Sequence, residues 1–75
     1  MSNAVKIIRA LAYESGAKPH HIFNDARQGW GRSVKVLGWT DAQYRKAVDV
    51  LHAAGMSAKM VKRPAPYKGY RLWVG

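Results

Sequence analysis

Lys62, Arg63, Lys68 and Arg71 stand within residues 62–71, with Tyr67 among them and no acid anywhere after Asp49. Ammonium and guanidinium groups at that density do one chemistry well: they hold anionic oxygens, above all those of phosphate. A second group, Gln43, Arg45 and Lys46, sets an amide beside two cations. Gln can bond adenine through two hydrogen bonds and Arg can bond guanine in the same way. Gln43 also stands three residues after Thr40, where its amide would serve a helix cap instead, and Asp41 suits the N-terminus of the same helix. Catalysis has no comparable foothold. The acids are Glu14, Asp25, Asp41 and Asp49 alone, there is no cysteine, and no nucleophile stands beside a base, so the chain reads as a non-enzyme. His20 and His21 are adjacent and do not share a helix face, so they imply neither a metal nor a cofactor. Trp30, Trp39 and Trp73 read as core packing, with base stacking as the alternative.

The charge balance widens the first observation. Thirteen Lys and Arg against four acids give a net charge of +9, and Lys59 joins the acid-free tail. A field of one sign draws polyanions and speeds their association. Nucleic acid is the expected partner. A membrane is not, because no helix combines basic residues with a bulky lipid-seeking face. Apolar runs of only a few residues exclude a spanning helix and a signal-peptide core, which points to a cytoplasmic, nucleoid-associated protein.

The elements that would position these groups follow from spacing. Seventy-five residues make one domain, and 48 % hydrophobic residues suffice for one core. Residues 4–15 repeat apolar positions at Ala4, Ile7, Ile8 and Leu11, a helix that Ser2 or Asn3 can cap and Gly16 can end. Pro19, with Ile22, Phe23 and Ala26 on one face, predicts a short helix over 19–28. Residues 32–37 fit a strand through Val34 and Val36 or a helical turn through Val34 and Leu37. Residues 40–54 carry a capping box at Thr40 and Gln43, a staple of Trp39 on Tyr44, and a stripe of Tyr44, Ala47, Val48, Leu51 and Ala54, with Gly55 as the stop. Met56, Ala58 and Met60, then Tyr70, Leu72 and Val74, alternate as strands of a hairpin. The loop RPAPYKG joins them, its prolines restricting the chain that carries the cations.

Leu37-Gly38-Trp39, with Tyr44 and Ala47 beyond it, resembles a helix-turn-helix. The order helix, Ala-Ala-Gly-Met, strand, basic loop, strand is similar to the winged helix-turn-helix family. The spacing of Thr40, Gln43, Tyr44, Arg45, Ala47, Leu51 and Gly55 also resembles the recognition helix of phage-type replication organisers. The resemblance covers residues 32–75 and the first helix, and residues 17–31 have no counterpart. It departs at Val34, four residues before the glycine, where the motif usually has alanine. What it implies is an α+β fold of three helices and a C-terminal β-hairpin wing, in a single domain over 1–75 with the helix-turn-helix at about 19–55 and the wing at 56–75. Helix 40–54 would enter the major groove of double-stranded DNA and loop 62–71 would flank it. The implied contacts are Gln43, Arg45, Lys46, Lys62, Arg63, Tyr67, Lys68 and Arg71. The implied role is a transcription or replication regulator of phage or mobile-element type, with a homodimer or protein partner adding contacts and no small-molecule substrate. Two rivals stand beside it. One is an interaction module that binds an acidic protein surface. The other is an RNA-binding protein, although the aromatic-rich strand motif of the common RNA-binding sheet is not evident.

Overall fold

The computed structural model describes residues 3–24 and 33–74. In chain order these form helix α1 (Asn3–Glu14), one 3-10 turn (Pro19–His21), strands β1 (Ile22–Asn24) and β2 (Ser33–Val36), helix α2 (Asp41–Ala53), and strands β3 (Ala58–Lys62) and β4 (Tyr70–Val74). The strands make one antiparallel sheet in the order β1-β2-β4-β3. Both helices lie on one of its faces and share a single core with it.

Each helix is held by its own stripe and its own ends. Val5, Ile8 and Ala12 of α1 and Tyr44, Ala47 and Leu51 of α2 are buried at helical spacing. They meet Val34, Val36, Leu72 and Val74, every second residue of the inner strands. At the start of α2, the Thr40 N–H donates to Gln43 Oε1 at 2.7 Å and the Gln43 N–H to Thr40 Oγ1 at 3.3 Å. Trp39 meets Tyr44 edge to face, with ring centroids 5.2 Å apart. At the helix ends, the Ala17 N–H donates to Ala12 O and the Met56 N–H to Leu51 O, both at 2.9 Å. That closure needs the residue before the donor in the left-handed region, and Gly16 and Gly55 stand there at φ 92° and 78°. Among the described residues no helix is long and apolar enough to cross a membrane.

The three-helix winged arrangement is not what forms. Residues 19–28 were expected to be a helix, but only Pro19–His21 turn, and Ile22–Asn24 pair with β2 instead; residues 25–28 lie outside the described part. The Lys18 N–H donates to His21 Nδ1 at 2.9 Å and the Leu37 N–H to His21 O at 2.8 Å, so the turn closes and hands the chain to the sheet. Residues 33–36 resolve as strand, which places the Val34 side chain in the sheet core rather than between two motif helices. The helix-turn-helix over 19–55 is therefore absent among the described residues: Leu37–Trp39 join a strand to a helix. Nor is the segment after α2 a projecting wing. Its strands β3 and β4 are half of the main sheet, and β4 is an inner strand flanked by β2 and β3.

Candidate nucleic-acid interface

Because side chains alternate along a strand, the face away from the helices is specified by the core. Leu72 and Val74 point inward, so Arg71 and Trp73 point outward. Val61 stands opposite Arg71, and Lys59 and Ser33 stand opposite Trp73. Phe23 stands opposite Lys35 on the outer strand pair, and the β2–β4 register continued by one step sets Lys35 beside Arg71. The open face is thus a grid. One row reads Phe23, Lys35, Arg71, Val61 and the next Ser33, Trp73, Lys59, with Ser33 itself buried.

Three large apolar groups on this grid remain in water. Phe23 is 43 % exposed, Trp73 42 % and Val61 40 %. Single exposed apolar residues are ordinary on protein surfaces, but three on one sheet face with cations between them form a shaped patch. Lys35 Nζ lies 5.2 Å from the centroid of the Phe23 ring, a cation held over an aromatic face. Beside Trp73 a shallow cavity of about 210 Å³ opens between Ser57, Ala58 and Lys59. Trp73 and Lys59 thus border one shared space.

The loop between β3 and β4 adds charge at the far end of the grid. The Arg63 N–H donates to Gly69 O at 3.1 Å and the Tyr67 N–H to Pro64 O at 3.0 Å, which folds the loop on itself. Arg63 then lays its guanidinium carbon 4.7 Å from the centroid of the Tyr67 ring. Between this loop and the β2–α2 turn lies a cleft of about 110 Å³, lined by Lys35, Arg63, Lys68, Tyr44 and Tyr70 among others. Tyr44 is buried there. Its hydroxyl accepts from the Val36 N–H at 3.1 Å and donates to Val36 O at 2.9 Å. Burial raises its phenol above the ordinary range, against the opposing pull of the Val36 hydrogen bond and the Arg63 charge. The Lys35 ammonium is lowered, first by burial and then by the charge of Arg63.

The residues expected to touch DNA divide between two sides of the molecule. Arg63 and Lys68 meet at the cleft, Tyr67 packs on Arg63, and Arg71 lies half-buried on the open sheet face. Lys62 is exposed at the end of β3. Arg45 and Lys46 are exposed on α2, in the helix layer behind the sheet, and Lys46 borders a separate cavity of about 280 Å³ with Leu11, Glu14, Ser15, Trp39 and Gln43. Gln43 has its amide oxygen in the cap. The sequence reading missed Phe23, Lys35, Lys59 and Trp73 as members of this face. Trp73 was expected in the core and is not there. The alternation of Arg71 and Trp73 with Leu72 and Val74 was the available signal. Trp39 is half-buried against Tyr44, and its Nε1 donates to Ser15 Oγ at 2.8 Å. Trp30 lies outside the described residues.

Compared with family models, curated proteins and solved structures, the chain shows no significant match.

Proposed function

We propose that the protein binds single-stranded nucleic acid across the open face of its sheet. The observation that carries this reading is Trp73, an exposed indole on an inner strand of that face, with cations on the neighbouring strands. Unpaired bases offer flat apolar surfaces that stack on such rings, and cations beside them neutralise the backbone. A duplex hides its bases and would have to be read by a helix. α2 follows strand β2 rather than the helix that a helix-turn-helix uses to set it in the groove, and Gln43 is engaged in its cap. Of the expectations drawn from sequence, the RNA-binding alternative is therefore the one the geometry favours, widened to single strands of either sugar. The positive charge around the site suits a cytoplasmic, nucleic-acid-associated setting.

Fluorescence anisotropy with labelled single-stranded RNA, single-stranded DNA and duplex DNA of one length tests it, and the two single strands decide the sugar. Single strands should bind tighter than duplex. Trp73→Ala should weaken them by about 1–3 kcal/mol, the range for loss of one stacked base, whereas Arg45→Ala should change little. A preference for duplex, with Arg45→Ala damaging and Trp73→Ala neutral, would overturn the reading and return α2 to the major groove.

A further inference from the structure

We infer that the cleft between the β2–α2 turn and the β3–β4 loop is a phosphate site, in which Lys35, Arg63 and Lys68 hold one phosphate of the bound strand. The nucleic-acid source of that phosphate rests on the function proposed above; the anion chemistry of the cleft does not. Three cationic residues line a space of about 110 Å³, none of the described acids (Glu14, Asp41 and Asp49) borders it, and the Lys35 ammonium, resting over Phe23, swings to reach an anion there. Arg63 is set in place before any ligand arrives: its ring contact with Tyr67 and its backbone bond to Gly69 fix the loop on both sides of the guanidinium. A planar fork held in this way matches two oxygens of a phosphate, and Lys35 and Lys68 add point charges around the remainder. Lys35 is independently informative, because burial and the Arg63 charge both disfavour its ammonium. Like charges held together without an acid between them are relieved by a bound anion. The cleft lies one step beyond the row that holds Lys35 and Arg71, on the side away from Trp73, so a strand anchored there has that row between it and the indole.

Amide NMR of the whole chain, titrated with inorganic phosphate against chloride at equal ionic strength, tests the cleft directly. The amides of Leu37, Gly38 and Gly69 should shift together and saturate. Lys68→Gln, an exposed change that spares the fold, should weaken this by about tenfold, as expected for loss of one charge-assisted contact. Lys59→Gln removes the same charge from the other end of the face and should leave phosphate binding unchanged. Unsaturable shifts, or equal losses in both variants, would reduce the cleft to diffuse attraction and overturn the inference. A single-stranded oligonucleotide then separates the two proposals. If it perturbs Trp73 without shifting the cleft amides, the phosphate site is wrong and the open-face reading stands. If phosphate saturates the cleft but no oligonucleotide binds, the open-face reading fails and the cleft is a site for free phosphate.

Discussion

At the scale of single residues, Tyr44 has the most to lose. Its ring fills the core, and its hydroxyl serves both backbone groups of Val36, beyond the last residue pair between β2 and β4. Tyr44→Phe keeps the ring and strands the Val36 N–H, while Val36 O keeps the Trp39 N–H at 3.3 Å, so urea denaturation should show a loss of about 1–3 kcal/mol. The pH dependence has a definite sign. The folded phenol value is raised, so the neutral hydroxyl contributes stability that is fully present below about pH 10, the unfolded phenol value. That stability is lost as pH rises through the raised folded value. The alkaline limb of the stability curve should therefore be shallower in Tyr44→Phe than in the parent. The sequence showed Tyr44 as a staple and a stripe residue, and so identified its ring. It gave no sign of the hydroxyl's task, which depends on where β2 ends in space.

At the scale of elements, the two helices and the two long strands were legible because each carries several turns or alternations of its pattern. α2 is the clearest case, with Thr40 and Gln43 bonding each other as the spacing anticipated. β1 was not legible. Three residues allow too few alternations to be told from one helical turn, and Pro19 and Ala26 supplied the helical reading. β2 was left open for the same reason and was settled by its partners on both sides. The cap makes a separable prediction. Gln43→Ala and Thr40→Ala should each destabilise the protein, Thr40→Ala by about 1 kcal/mol in thermal or urea unfolding. Neither should weaken oligonucleotide binding under conditions where the variants remain folded. A folded Gln43→Ala protein that loses affinity by anisotropy would restore to Gln43 the base-reading role first considered for it.

At the scale of the whole molecule, the helices and the open sheet surface form two sides with different tasks. The core side joins α1, α2 and the inward residues of the strands, while Phe23, Lys35, Lys59, Arg71 and Trp73 look the other way. Net charge and the acid-free tail were visible in composition, but composition carries no direction, so which cations share the open face and cleft could not be read from it. The salt dependence of binding now has an expected size. Five cations lie on the face and cleft (Lys35, Lys59, Arg63, Lys68 and Arg71), and if each meets one phosphate of a single strand, log K should fall with log salt at a slope of about −3.5. A duplex meeting the same number would give about −4.5, so anisotropy across a salt series discriminates between the two ligands.

The position of β4 has a consequence for how the protein comes into being. It follows β3 in the chain yet lies between β2 and β3, and Ser33 pairs with Trp73 across roughly forty residues. Contacts so distant in sequence form late and together, because closing the intervening chain costs entropy before any pairing offsets it. Seating β4 therefore completes the sheet and turns Trp73 outward in one event. A nascent or partly folded chain would carry the full positive charge but no assembled face, so it could attract a polyanion without discriminating among polyanions. On the function proposed above, selectivity would arrive only once β4 is seated.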